Sequence, residues 1–97
     1  MDLNQIKKKV IPVFRKFRVK KAGLFGSVVR GDNKKNSDVD ILVELESDLT
    51  LLDFVGLKLA LERVIGKKVD LVEYQTIKPL LRKQILSDEV SIYETGS

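Results

Sequence analysis

Residues 19–45 of the chain read VKKAGLFGSVVRGDNKKNSDVDILVEL, and this stretch decides the fold. It holds two apolar segments, separated by turn-forming and polar residues. The second segment is apolar at three consecutive positions, 41–43, which is typical of a strand buried on both faces of a sheet. We therefore predict, in chain order, a strand over 19–25, a turn at Gly26-Ser27, a short helix over 27–31, a break at 31–33, a polar loop over 34–37 and a strand over 38–45.

Three carboxylates interrupt segments that otherwise resemble buried strands. Asp38 and Asp40 flank Val39, so on a strand both project to the same side. Asp70 lies inside a later apolar run. A buried charge needs a partner or a metal, and hard oxygen ligands select Mg²⁺ or Mn²⁺ over softer metals. We expect the three aspartates to hold a pair of such ions.

Ten residues separate the dipeptide Gly26-Ser27 from Asp38. A turn of this composition can present bare backbone N–H groups to a phosphate. Taken singly, a Gly-Ser pair, an Asp-x-Asp motif or a lone aspartate is more often structural than catalytic. Their combination at this spacing, in a strand–turn–helix context, favours an enzyme of nucleotidyl transfer from a nucleoside triphosphate.

Length and composition restrict the classes of protein and of site. Ninety-seven residues, 43% of them hydrophobic and 33% charged, predict one globular domain over residues 1–97. The chain has no cysteine and no histidine, so a disulfide framework, a thiolate site and the commonest general base are excluded. The apolar stretches are shorter than the ~20 residues that span a bilayer, and no signal pattern opens the chain. We therefore expect a cytoplasmic protein without a membrane partner.

The net charge of +4 is unevenly distributed. Eight basic residues crowd the first quarter of the chain: Lys7, Lys8, Lys9, Arg15, Lys16, Arg18, Lys20 and Lys21. Such a cluster is typical of a solvated helix face, but it also fits attraction for a triphosphate, RNA or an acidic protein surface. Charge alone does not separate these interpretations.

The remaining elements follow from periodicity and capping residues. Apolar residues at three- and four-residue steps predict a first helix, with an N-cap at Asp2 and a kink or restart at Pro12. We further predict a helix from Thr50 to Ile65 that Gly66 ends, a strand over 69–74, a helix over 79–86 and a strand over 90–93. The fold class is thus α/β (α+β), with a mixed sheet of about four strands and helices packed on it.

The predicted helix over 51–65 carries more apolar residues than one packing face uses. This excess indicates either deep burial or a second surface that a partner covers. We expect a helical partner to dock on this surface or on one beside it.

Three segments together resemble a known superfamily. Residues 26–31 (GSVVRG), 37–43 (SDVDILV) and 68–72 (KVDLV) are similar to the nucleotidyltransferases that include DNA polymerase beta. The nearest resemblance is to the minimal nucleotidyltransferase branch, and it covers nearly the whole chain. It implies that Asp38 and Asp40 ligate two Mg²⁺ ions, and that Asp70 ligates the catalytic ion and helps to activate the acceptor hydroxyl.

The same resemblance implies a nucleotide site at the turn. Gly26 and Ser27 would hold the β- and γ-phosphates of ATP through backbone N–H groups and the serine hydroxyl. Arg30 would either contact a phosphate or brace the loop. These three residues and the three aspartates are the candidate site.

The resemblance also implies a partner. Members of this branch are antitoxins of small helical HEPN-type proteins, which are often ribonucleases, and they neutralise the partner by adenylylating a tyrosine. We expect such a toxin to deliver the acceptor, because the chain has no length left for an acceptor-binding domain. Two alternatives stay open. In the first, which is not favoured, the acceptor is RNA or a small molecule. In the second, the chain is a non-catalytic antitoxin that neutralises by binding.

Overall fold

The structure, a computed structural model, describes residues 2–31 and 38–95. Helices and strands alternate within these ranges in the predicted order, and the predicted fold class is confirmed. The elements are α1 (Leu3–Lys16), β1 (Val19–Phe25), α2 (Ser27–Arg30), β2 (Val39–Leu45), α3 (Leu51–Ile65), β3 (Val69–Glu73), a 3₁₀ turn (Tyr74–Thr76), α4 (Pro79–Asp88) and β4 (Val90–Glu94). The predicted loop over 34–37 and most of the break before it lie outside the described residues.

The four strands form one mixed sheet in the order β3-β2-β1-β4. Strand β1 is antiparallel to both β2 and β4, whereas β2 and β3 are parallel. Ile41, Leu42 and Val43 are fully buried in β2, so the apolar run does occupy an inner strand covered on both faces.

The two faces of the sheet differ in what covers them. On one, the core face, apolar residues of β1, β2 and β3 form a single cluster with buried residues of α1 and α3. The cluster includes Ile6, Val10, Phe14, Ala22, Leu24, Val39, Ile41, Val43, Leu57, Leu61, Ile65, Val69 and Leu71. Because side chains alternate along a strand, Asp40 and Leu42 project to the other side, as does Asp70. We call this side the carboxylate face.

Local signals set the helix ends as predicted. In α1, the Gln5 N–H donates to Asp2 Oδ1 (2.9 Å), and the Asp2 N–H donates to Gln5 Oε1 (3.0 Å). Thr50 and Asp53 form the same reciprocal box at α3, which ends at Gly66 in the left-handed conformation. These capping bonds satisfy N–H groups that a helix leaves unpaired at its start.

Some boundaries differ from the predictions. Helix α1 continues through Pro12 as one element, so the predicted restart does not occur. Pro12 is exposed, and water can therefore satisfy the carbonyl that its missing N–H leaves unpaired. Strand β2 begins at Val39, β3 ends at Glu73 where the 3₁₀ turn starts, and α4 extends to Asp88.

The apolar excess of α3 is exposed. Leu51, Leu52, Val55 and Leu59 remain between 43% and 83% accessible. No helix in the described part of the chain is long and apolar enough to cross a membrane.

Candidate active site

Asp40 and Asp70 stand directly opposite each other on the parallel strands β2 and β3. The residues on either side of each aspartate belong to the core cluster, so both carboxylates project from the carboxylate face. Asp40 is half-buried and Asp70 is exposed. The strand register therefore brings together two carboxylates that are thirty residues apart in the sequence.

Asp38 lies immediately before the first residue of β2 and is exposed. Its charge nevertheless acts on Asp40. The structure thus places Asp38 and Asp70 within electrostatic reach of Asp40.

The pKa of Asp40 is raised from 3.8 to about 6. Burial is the largest cause, because it disfavours the charged form, and the charges of Asp70 and Asp38 add to it. The positive charge of Arg30 opposes the increase. Asp40 is therefore the carboxylate whose ionised form is most costly, and a cation beside it would lower that cost.

The repulsion between these carboxylates bears on whether the three aspartates fit a divalent metal. Oxygen-only ligands that repel one another suit Mg²⁺ or Mn²⁺ chemically. No group of three acidic side chains in residues 2–31 and 38–95 is already arranged to hold an ion. Of the three aspartates, Asp38 is the one that the sheet does not hold in place, because it is exposed and lies outside β2. The ligand role of the three aspartates stays a prediction.

Gly26 lies against the carboxylate of Asp40. Its backbone has φ 76° and ψ −148°, a conformation that disfavours any residue with a side chain. A Cβ at this position would collide with Asp40 Oδ2 and come within 3.1 Å of Cγ. The contact follows from the sheet, because the preceding residue, Phe25, pairs with Asp40. The turn predicted to hold phosphate and the carboxylate predicted to hold metal are therefore neighbours.

Ser27 is half-buried at the start of the short helix α2. The N–H groups of Val29 and Arg30 donate to the carbonyl of Gly26 at 3.1 Å and 3.2 Å. The N–H groups of the first helical residues have no partner inside a helix, so α2 itself does not satisfy those of Ser27 and Val28. Phosphate binding by Gly26 and Ser27 stays a prediction.

Arg30 forms an ion pair with Asp88 at the end of α4, with Nη1 and Oδ2 3.1 Å apart. The pair connects the predicted phosphate turn to α4. This contact fits the second predicted role of Arg30, which is to brace the loop. Phosphate binding by Arg30 stays a prediction.

A second group on the carboxylate face was not predicted. The Tyr74 hydroxyl donates to Glu89, and Lys21 Nζ lies 4.8 Å from the centre of the Tyr74 ring. A Cβ at Gly23 would collide with Glu89 Oε2 and come within 2.7 Å of Cγ. Burial and the bond to Glu89 raise the pKa of Tyr74, so its hydroxyl remains protonated as a donor. In the sequence, Gly23 is the signal that could have revealed this group, because an isolated glycine within a strand indicates a bulge or a close approach.

A cavity of about 530 Å³ lies away from Asp40 and Asp70. Its lining includes Leu45 and Glu73, at the carboxyl ends of β2 and β3, and Leu51, at the start of α3. Asp40 and Asp70 stand near the amino ends of the same strands. The carboxylates and the glycine turn, and not the cavity, identify the candidate site.

Known proteins resemble this chain over most of its length. The family model described as polymerase beta, nucleotidyltransferase matches residues 8–97. A Methanocaldococcus jannaschii protein, described as a candidate protein adenylyltransferase, is 48% identical over 95% of this chain and 99% of its own length. The protein adenylyltransferase MntA of Thermococcus cleftensis is 43% identical over 79% of this chain and 78% of its own length.

Two solved structures have similar folds. One, described as a candidate minimal nucleotidyltransferase, superposes with a TM-score of 0.80 at 38% identity, covering 93% of this chain and 95% of the other. The other is a toxin–antitoxin crystal structure with AMP-PNP, with a TM-score of 0.78 at 26% identity, covering 92% of this chain and 73% of the matched chain.

Proposed function

The chain belongs to the polymerase beta family of nucleotidyltransferases, and from that premise we propose that it transfers AMP from ATP to a tyrosine hydroxyl of a HEPN-type toxin. The transfer depends on divalent metal, with Mg²⁺ as the expected ion, and neutralises the toxin. The chain is then the antitoxin of the pair.

One observation carries the proposal, which is the contact between Gly26 and Asp40. It brings the turn that would bind phosphate against the carboxylate that would bind metal. Asp70 stands opposite Asp40 in the adjoining strand. Nucleotidyl transfer needs a triphosphate and a metal site side by side, and this contact supports that arrangement.

Each candidate residue has a role in the proposed site. Asp38, Asp40 and Asp70 would hold two metal ions, which when bound neutralise charge on the entering and leaving oxygens. Gly26 keeps the space beside Asp40 free of a side chain. The backbone N–H groups at the start of α2, with the Ser27 hydroxyl, orient the β- and γ-phosphates.

The transfer itself is a displacement at the α-phosphorus of ATP. The acceptor oxygen forms a bond to that phosphorus, and the bond from the phosphorus to the oxygen that bridges to the β-phosphate breaks. Pyrophosphate leaves, and the acceptor's hydroxyl proton passes to the carboxylate of Asp70 and then to water. Asp70 is exposed, as a group that meets an incoming acceptor must be.

The relatives support the choice of acceptor class and nucleotide. MntA of Thermococcus cleftensis is a protein adenylyltransferase, and the structure with AMP-PNP is of a toxin–antitoxin assembly. AMP-PNP is an analogue of ATP with nitrogen in place of the oxygen between the β- and γ-phosphates, which favours ATP as the substrate here. A protein acceptor is therefore favoured over RNA or a small molecule.

Intact-mass measurement tests the proposal. The chain is co-expressed with HEPN-type proteins of its own organism, and each partner is weighed after incubation with ATP and Mg²⁺ or with EDTA. We expect a partner to gain mass in whole AMP units, on tyrosine, only when Mg²⁺ is present. Asp70→Asn should reduce the rate at least 100-fold, whereas Asp48→Asn, the same change at an exposed aspartate of the turn after β2, should leave it unchanged.

Each contrary outcome has a distinct meaning. A partner that binds tightly but never gains mass would favour neutralisation by binding alone. Labelled AMP on RNA, and never on protein, would favour the nucleic-acid alternative. Transfer at the wild-type rate by Asp70→Asn would show that the three-carboxylate assignment is wrong.

A further inference from the structure

The topology places α3 and α4 on opposite faces of the sheet. Strands β2, β3 and β4 are mutually parallel, because β2 pairs parallel with β3 and both β2 and β4 pair antiparallel with β1. In the order β3-β2-β1-β4, the connection from β2 to β3 runs in one direction across the sheet and that from β3 to β4 in the other. Since crossovers between parallel strands are right-handed, their helices must cover different faces.

The side-chain contacts agree with this rule. Helix α3 places Leu57, Leu61 and Ile65 in the core cluster. Glu89, directly after α4, instead lies over Gly23, whose partner in the sheet is Leu42 on the carboxylate face. Helix α4 is therefore on the same side of the sheet as Asp40 and Asp70.

The surface of α4 is apolar and basic. None of its residues is fully buried, and Leu80 and Leu81 in its first turn are 97% and 50% accessible. Lys78 and Lys83, also exposed, flank these leucines, and residues 77–87 contain no acidic side chain. We call Lys78, Leu80, Leu81 and Lys83 the α4 strip.

We infer that the acceptor protein docks on the α4 strip through an apolar surface bordered by acidic side chains. The inference rests on the proposed function, because a protein acceptor must reach Asp40 and Asp70. The exposed leucines of α3, the docking surface predicted from the sequence, lie on the other side of the sheet, and docking there stays a prediction. A partner seated there would be separated from the carboxylates by the sheet itself.

The dimensions allow one interface to cover both the strip and the carboxylates. Helix α4 has ten residues, or about 15 Å at 1.5 Å per residue. Its end is joined to the phosphate turn by the Arg30–Asp88 pair. A specific interface buries about 800 Å² on each partner, a patch nearly 30 Å across, so the acceptor hydroxyl can meet Asp70 while its surroundings contact α4.

The composition of the strip favours protein over RNA. Single-stranded RNA is typically bound by aromatic side chains on which bases stack, and α4 has none. Burial of the two exposed leucines against an apolar protein surface is favourable in free energy. The adjoining lysines complement acidic groups at the rim of that surface.

The chain offers a matched pair of variants for the test. Helices α3 and α4 both carry exposed adjacent leucines in the first turn, Leu51-Leu52 and Leu80-Leu81. We compare L80D/L81D with L51D/L52D, using the HEPN-type protein that the wild-type chain binds. Calorimetry gives the affinity for this protein without ATP, transfer rates give its KM, and titration with AMP-PNP gives the affinity for nucleotide.

We expect L80D/L81D to weaken partner binding and raise KM at least tenfold, with AMP-PNP affinity unchanged, while L51D/L52D stays within twofold of wild type. Equal values for both variants and wild type, or a loss confined to L51D/L52D, would overturn the inference. Binding that depends on Leu80 and Leu81 but never leads to transfer would support the docking surface and contradict the proposed function. A wild-type chain that binds RNA and no HEPN-type protein would contradict both.

Discussion

Gly26 and Gly23 lie three residues apart, and each has a carboxylate where a side chain would begin. At Gly26 the carboxylate is that of Asp40, and at Gly23 it is that of Glu89. Their surroundings differ. Gly26 has φ 76°, and Asp40 faces the charges of Asp70 and Asp38. Gly23 lies at an irregularity in the pairing of β1 with β4, and Glu89 accepts a bond from Tyr74.

The difference separates a contact with a proposed function from a structural contact on the same sheet. Glu89 has a hydrogen-bond donor, so its position close to the backbone stabilises the fold. Asp40 is half-buried among like charges, which costs free energy in the protein without metal. A costly arrangement of this kind is characteristic of a site that a ligand completes.

The largest effect is expected at Gly26. Gly26→Ala introduces a Cβ that displaces Asp40, so nucleotidyl transfer should fall at least 100-fold. Gly66→Ala is the control, because Gly66 has φ 78° but open space around a Cβ. It should cost about 1 kcal/mol of stability and leave the specific activity unchanged. Equal loss of activity in both variants would assign the effect to backbone strain alone.

The next effect concerns the stability contributed by Gly23. Gly23→Ala should lower the free energy of unfolding by about 2 kcal/mol, because the Glu89 side chain must move away from Tyr74. In a Glu89→Ala background the same change should be neutral or stabilising, since alanine is favoured over glycine within a strand. Urea unfolding of the four proteins gives the coupling, and additive effects would contradict the contact. AMP-PNP affinity should not change.

A smaller effect is expected for the Tyr74 hydroxyl. Tyr74→Phe should cost about 1 kcal/mol, because Glu89 loses its donor. Glu89→Gln keeps an acceptor oxygen at this position and should cost less. Thermal unfolding of both variants provides the comparison, and a Tyr74→Phe protein as stable as wild type would show that the bond contributes nothing.

An effect of similar size is a pH dependence at Asp40. Its pKa is about 6 in the folded protein against an ordinary 3.8, so the folded state binds the proton more tightly. This contribution to stability is fully present below about pH 4 and is lost as the pH rises through about 6. In EDTA, the stability of wild type relative to Asp40→Asn should fall across this window by about 1 kcal/mol, after allowance for solvent screening. A constant difference in melting temperature would contradict the shift, and added Mg²⁺ should reverse the fall.

Local sequence signals identified Gly26 and Asp40 as candidate residues, but they did not predict the contact between Gly23 and Glu89. The caps at Asp2 and Thr50 involve residues three positions apart, so the sequence displays them directly. The Asp-x-Asp pattern and the glycine turn were equally visible. Glu89 lies over Gly23 because α4 crosses the carboxylate face. That crossing follows from the order of the strands, and no residue nearby in the sequence indicates it. For the same reason, the sequence did not reveal that the exposed leucines of α3 lie on the opposite side of the sheet from Asp40 and Asp70.

The pairing of β1 with β4 has a consequence for folding. Lys21 pairs with Glu94, so β1 keeps one edge open until the residues of β4 have been synthesised. At roughly 5–20 residues per second, that edge stays unpaired on the ribosome for several seconds, and an open edge can recruit strands of other chains. Lys20 and Lys21 stand at the start of this strand, and lysines on an exposed edge repel such pairing. The same strand leads into Gly26, so these lysines protect from aggregation the element that carries the turn predicted to bind phosphate.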